Sequence, residues 1–158
     1  MSDFILRTMT SADIDAVSEI EQNVYHIDPW SKELIASEFM GVPDTRFYLI
    51  AEKDGRIIGY GGLFAPSPGV EADVQTVTVV SEMQGKGIGR ALLTRLIEEA
   101  SLRAVPAVLL EVRVGNESAI HLYESFGFVE IARRLNYYGS NLHALVMRKS
   151  MSIDEAIK

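Results

Sequence analysis

The chain has 158 residues, a formal net charge of −7 and no cysteine. That length is enough for one domain with a real core. The missing cysteines exclude disulfides, thiolate nucleophiles and thiolate metal sites. His26, His121 and His143 stand apart, without metal-ligand spacing, so no metal is expected. The acidic balance argues against direct nucleic-acid binding and suits a cationic partner such as an amine or a basic peptide. A moderate negative charge also serves solubility alone. No apolar run reaches transmembrane length, and Met1-Ser2-Asp3 lacks the basic-then-apolar order of a secretory leader. A cytoplasmic protein away from membranes is expected.

In chain order, Phe4-Ile5-Leu6 reads as a first strand. Thr10 and Asp13 form a capping-box pair ahead of a helix spaced on Ile14, Val17, Ile20 or Glu21, and Val24. Pro29 disfavours helix at the residue before it, which ends the segment near Tyr25 to Asp28. Ser31 caps a second helix carrying Leu34, Ile35 and Phe39 on one side, stopped by Gly41-Val42-Pro43-Asp44. Trp30 lies between the two helices, as a core plug or a pocket wall; the tendency of aromatics to bury favours the plug. Runs 47–52 and 56–64 are strand-like and flank Asp54-Gly55, a hairpin signal. Val and Thr fill every position from 76 to 80, which suits a strand covered on both faces. After residues 84–90 come Ile88, Leu92, Leu93, Leu96, Ile97 and Ala100 on one helical face. Residues 107–114 form the most apolar strand, Asn116 caps a short helix, and Gly127 suits its left-handed C-terminal position. Strands 128–133 and 143–148 then close the chain around a loop at 136–141. The order β-α-α-β-β-β-α-β-α-β-β predicts a mixed α/β fold: a mostly antiparallel sheet of about seven strands with about four helices on both faces. It is expected as one domain over 1–149, followed by a polar, frayed tail over 150–158.

The stretch Gln84-Gly85-Lys86-Gly87-Ile88-Gly89-Arg90 stands between a β-branched strand and a helix. Strand, glycine turn and helix start together present backbone N–H groups to a phosphate. It is not a Walker loop, which needs Lys and then Ser or Thr after its final glycine. It is not the dinucleotide fingerprint either, because its third glycine comes one place early. A pyrophosphate cradle fits better than a plain turn, which does not need three alternating glycines. Glu111 interrupts an apolar strand. It reads equally as a rim partner of Arg113, two residues on, or as a partly desolvated general base. Tyr123 on the short helix is either a half-buried ring whose hydroxyl finds a partner or a proton donor. His121 on that helix is expected to face solvent or a carboxylate. Tyr137 and Tyr138 either pack a loop or line a peptide pocket.

Gln84-x-x-Gly87-x-Gly89 matches the acetyl-CoA signature of the GNAT superfamily of N-acetyltransferases. Leu110 to Arg113, Asn116, Ala119-Ile120 and Leu122 to Phe128 resemble the second half of that fold. Pro29-Trp30-Ser31 and Asn136-Tyr137-Tyr138 resemble the RimI type, which acetylates the N-terminal alanine of ribosomal proteins. The resemblance spans roughly Phe4 to Met147. It implies that a pantetheine arm pairs with the edge at Val77, Thr78 and Val79. Backbone N–H groups from Gly85 through Lys86, Gly87, Ile88 and Gly89 to Arg90 would hold the pyrophosphate, and Asn116 would touch the coenzyme. Glu111 takes the place of the general base and Tyr123 that of the acid, while Trp30, Tyr137 and Tyr138 take the substrate positions. Gly85 and Lys86 replace a basic-then-polar pair, Asp28 replaces a common aromatic, and Gly139 stands where proline is frequent. Direct acetyl transfer from acetyl-CoA to a protein α-amine is therefore expected, with a protein N-terminus or basic peptide, such as a ribosomal protein, as partner. A lysine side chain or small amine as acceptor, or a non-catalytic coenzyme-binding module, are the alternatives. The oligomeric expectation is a monomer or weak dimer.

Overall fold

Alternation along strand β2 (Arg46–Lys53) feeds two cores. Phe47, Leu49 and Ala51 join one with Leu92, Leu93 and Leu96, while Tyr48 and Ile50 join the other with Met9, Val17, Ile35 and Tyr60. This computed structural model describes residues 3–139 and 141–151. β2 belongs to a seven-stranded sheet with β1 (Ile5–Thr8), β3 (Arg56–Phe64), β4 (Ala72–Val79), β5 (Ala107–Arg113), β6 (Val129–Gly139) and β7 (Leu142–Ser150). The order is β1-β2-β3-β4-β5-β7-β6, and only the β4–β5 pair is parallel. Helices α1 (Ile14–Val24) and α2 (Lys32–Phe39) cover one face. Helices α3 (Ile88–Leu102) and α4 (Glu117–Ser125) cover the other. The mixed, mostly antiparallel sheet with four helices on its two faces is the expected architecture, element for element.

Local chemistry accounts for the element ends. Asp13 accepts the Thr10 N–H at 2.8 Å in a one-turn 3-10 segment at the entrance to α1. The Arg7 fork holds the same carboxylate at 2.8 and 2.9 Å and lowers its pKa. Ser31 caps α2 by accepting from Leu34 N–H at 3.1 Å. Ile35 is buried on α2, whereas Leu34 is exposed, so the apolar side of that helix is narrower than its composition implies.

Three sequence expectations change. Strand β4 is not covered on both faces: Asp73 is exposed, and Gln75, Thr76, Val77 and Val79 are only half-buried. The loop expected at 136–141 is mostly strand. β6 continues through Tyr137, Tyr138 and Gly139, with its ladder to β7 interrupted between Arg134 and Gly139 and Asn136 at φ +56°. The tail expected from position 150 starts later. Ser150 belongs to β7, and Met151 N–H donates to Pro106 O at 2.9 Å; residues 152–158 lie outside the described residues.

Close packing on β3 depends on glycine. A Cβ at Gly61 would lie 3.2 Å from Leu96 of α3, and one at Gly62 would lie 2.5 Å from the Tyr48 ring. Tyr48 is 2% exposed and its hydroxyl donates to Gln75 Oε1 at 2.9 Å, so the ring has nowhere to retreat. Gly62→Ala is expected to destabilise the protein by about 1–3 kcal/mol through overpacking, read as a lower denaturant midpoint. An unchanged midpoint would mean that the ring yields freely.

Candidate active site

Strands β4 and β5 pair only at Ala72↔Val108 and Asp73↔Leu109. Beyond these, β4 keeps its partner β3 as far as Val79 and β5 keeps its partner β7 as far as Arg113. The facing edges therefore part into a cleft, and backbone groups between Val74 and Val79 have no strand on that side. Unsatisfied strand edges seek hydrogen-bond partners. Side chains on β4 split by parity. Val77 and Val79 approach Gly89 from the α3 face. Thr78, 1% exposed, points the other way and shares hydrogen bonds with Tyr25 at 2.8 Å and Thr76 at 2.7 Å.

At the end of β4 the chain turns through Gln84 to Gly87 into α3. Gln84 Nε2 donates back to Val79 O at 3.1 Å and ties the turn to the strand. Gly87 is the N-cap at φ +84°, a left-handed conformation that a side chain would strain. The first backbone N–H to bond back into α3 is that of Ala91, to Gly87 O at 3.0 Å. The N–H groups of Ile88, Gly89 and Arg90 precede it and have no intrahelical acceptor. With the helix dipole they form an anion-binding end, and exposed Lys86 adds a positive charge. The Arg90 guanidinium is engaged elsewhere, donating to Ser125 Oγ at 3.1 Å and lying over the Phe126 ring. Asn116 acts as the N-cap of α4, accepting from Ala119 N–H at 3.4 Å.

Glu111 lies on β5 two residues past the last pairing with β4. Its partner is not Arg113. Arg134 of β6 donates to Glu111 Oε1 at 2.8 Å, while Glu111 Oε2 is buried with no partner among the described residues. Arg113 shares a face with Glu111 but is exposed at the strand end. Tyr137 and Tyr138, packed edge-to-face at 4.9 Å, flank the carboxylate. Burial, then the Glu111 charge, pushes Tyr138 up to about 12; burial, then a hydroxyl interaction with the Glu111 carboxylate and its charge, raises Tyr137 as well. Asp73 across the cleft is raised first by burial and then by the charges of Glu111 and Glu71.

Tyr123 of α4 is 8% exposed and packs edge-to-face on Phe128. Its hydroxyl is not among the buried polar atoms left without a partner, so only its ring is enclosed. Burial, followed by the proximity of Tyr25 and Tyr138, raises its pKa, so it stays a neutral phenol and potential donor across the physiological range. Tyr138 lies within electrostatic reach of both Glu111 and Tyr123. His121 is exposed. Trp30 is half-buried and packs against the α1–α2 core, and Asp28 of the same loop acts electrostatically on Tyr137.

Reading the residues in sequence missed Glu21. This carboxylate is 3% exposed, accepts the Tyr60 hydroxyl at 2.5 Å on Oε1 and the Trp30 N–H at 2.9 Å on Oε2, and has its pKa raised by burial. It ties the loop between α1 and α2 to β3. The available signal was a Glu four residues after Val17, on the apolar face of α1.

Residues 14–128 match the acetyltransferase (GNAT) family. The chain belongs to this family. The GNAT chain is 38% identical to a ribosomal protein bS18-alanine N-acetyltransferase of Escherichia coli K12 over 135 residues, covering 84% of this chain and 86% of that one. The crystal structure of the ribosomal-protein-S18-alanine N-acetyltransferase from Escherichia coli superposes with a TM-score of 0.83 at 32% identity, covering 95% of each chain. A Salmonella typhimurium putative acetyltransferase solved with acetyl-CoA shares the fold, with a TM-score of 0.81 at 24% identity, covering 96% of each chain. An uncharacterized Mycobacterium leprae protein is longer: this GNAT chain, 34% identical to it over 149 residues, spans 40% of its length and aligns over 92% of its own.

Gly89 is a position where folding and binding can be tested separately. Its Cβ would meet nothing closer than 3.6 Å, and its φ is not positive. Alanine is a better helix former than glycine by about 1 kcal/mol. Gly89→Ala is therefore expected to keep or raise the melting temperature while weakening acetyl-CoA binding, by about tenfold for the loss of one close backbone contact in titration calorimetry. Unchanged affinity would mean that no ligand approaches this backbone.

Proposed function

We propose that this protein transfers the acetyl group of acetyl-CoA to the N-terminal α-amine of a protein, with the alanine of ribosomal protein bS18 as the acceptor class its relatives point to. The observation that carries the reading is the cleft between β4 and β5. It has an anion-binding glycine turn at its open end, the Glu111 carboxylate two residues past the last β4–β5 pair, and the neutral phenol of Tyr123 on the helix that follows β5. Open backbone edge, free helix N–H groups and glycines with nothing within 4 Å fit an extended thioester ending in a pyrophosphate. Acetyl-CoA supplies the acetyl thioester.

The residues then divide the work. The β4 edge at Val77, Thr78 and Val79 holds the pantetheine arm. Backbone N–H groups from Gly85 to Arg90 hold the pyrophosphate, with Gln84 fixing the turn and Asn116 contacting the coenzyme. An α-amine has a reference pKa of about 8 and arrives mostly protonated. Glu111, through a water, takes a proton from it. The neutral amine attacks the thioester carbon, and backbone N–H groups at the cleft stabilise the resulting oxyanion. The C–S bond breaks as Tyr123 gives its proton to the departing sulfur, and the tyrosine is restored from solvent. Without a cysteine the reaction runs as direct transfer in a ternary complex. Trp30, Tyr137 and Tyr138 shape the acceptor site.

Among the described residues no helix is long and apolar enough to cross a membrane. A ribosomal acceptor places the enzyme in the cytoplasm. Glu111→Gln is expected to lower kcat/KM about a hundredfold or more and remove the acidic limb of its pH profile. Tyr123→Phe is expected to slow turnover with coenzyme affinity largely kept. Full activity of the Glu111 variant with an unchanged acidic limb contradicts the base assignment. Collapse of affinity alone makes Tyr123 a binding residue instead.

A further inference from the structure

Arg134 is absent from the roles above, yet it touches the proposed base directly. Its guanidinium donates to Glu111 Oε1 at 2.8 Å, and its Cζ lies 4.2 Å from the centre of the Tyr137 ring. Tyr137 in turn packs on Tyr138. The ion pair is half exposed, with side-chain exposures of 53% for Arg134 and 29% for Glu111. Pairs of that kind add little to stability. Their effect on orientation is larger: with Oε1 held by Arg134, proton uptake falls to Oε2, which is buried without a hydrogen-bond partner among the described residues, with the Tyr137 hydroxyl close to the same carboxylate.

We propose that Arg134 is the positioning residue of the acetyl-transfer site, holding Glu111 by Oε1 so that Oε2 works as the proton acceptor, and held in turn by the ring of Tyr137. This rests on the reading of Glu111 as general base. It joins acceptor recognition to catalysis, because a peptide that shifts Tyr137 also shifts the cation that orients the base. A planar fork stacked on an aromatic ring suits arginine and not lysine.

The charge and the geometry make separate predictions. The titratable or charged groups that face Glu111 are Arg134, Tyr137 and Tyr138 from β6 and Asp73 from β4. Around these tyrosines lie Arg113 on β5, Tyr25 and Asp28 beyond the end of α1, and Tyr123 on α4. Arg134 is the cation that bonds to the carboxylate.

The test is the pH profile of kcat/KM on an N-terminal peptide for the parent, Arg134→Gln, Arg134→Lys and Glu111→Gln, with thermal melting of each. Arg134→Gln is expected to lower kcat about tenfold across the pH range while KM and the melting temperature stay unchanged. Arg134→Lys, which keeps the charge and loses the planar fork, is expected to restore part of kcat and not all of it. An Arg134→Gln variant with the parent's kcat, beside a Glu111→Gln variant that is inactive, overturns the inference and leaves the base intact. An Arg134→Lys variant no faster than Arg134→Gln also overturns it. A fully active Glu111→Gln variant with the parent's acidic limb instead fails the reading on which the inference rests.

Discussion

The site exists because one strand pairing stops early. Two neighbouring parallel strands normally continue their ladder for as long as both are extended, since each lost pair leaves backbone groups in need of partners. Here β4 and β5 stop after two pairs although both run on, each secured by its other neighbour. The cost of the open edge is met by whatever lies in the cleft. The parts of the site depend on that parting: the free β4 edge, the position of Glu111 just past the last pair, and the glycine turn at the far end.

Much of this was legible in the sequence, and for physical reasons. Element order and type followed from signals that act locally: the capping residues Thr10 and Ser31, the turn at Asp54-Gly55, and the helical spacing of Leu92, Leu93 and Leu96. The turn at Gly85 to Gly89 was readable because left-handed backbone and close approach leave a compositional trace. What the sequence obscured was tertiary. Val and Thr from 76 to 80 read as a fully covered strand because nothing in a β-branched run says that a neighbouring strand will diverge. Tyr137 and Tyr138 read as loop because their neighbours Asn136 and Gly139 are turn formers, yet β6 carries them beside the β7 edge as strand. The partner of Glu111 was sought two residues away on its own strand and came from 23 positions along the chain.

The two buried or half-buried carboxylates of the site illustrate opposite solutions to desolvation. Glu21 has no cation; the Tyr60 hydroxyl and the Trp30 N–H satisfy one oxygen each, so it acts as a structural tie between the α1–α2 loop and the sheet. Glu111 has a cation on one oxygen, while the other is buried without a hydrogen-bond partner among the described residues. A group with a buried, unmatched acceptor is poorly suited to holding a fold together and well suited to receiving a proton. Tyr60 donates to Glu21, whereas Tyr123 is held in its neutral, protonated form by burial.

The most direct test gives the enzyme acetyl-CoA and a peptide with an N-terminal alanine and an internal lysine, and locates the acetyl group by fragmentation mass spectrometry. The account predicts acetylation of the alanine α-nitrogen and no product when that amine is blocked beforehand. Acetyl on the lysine, with the blocked peptide reacting as fast as the free one, would contradict it.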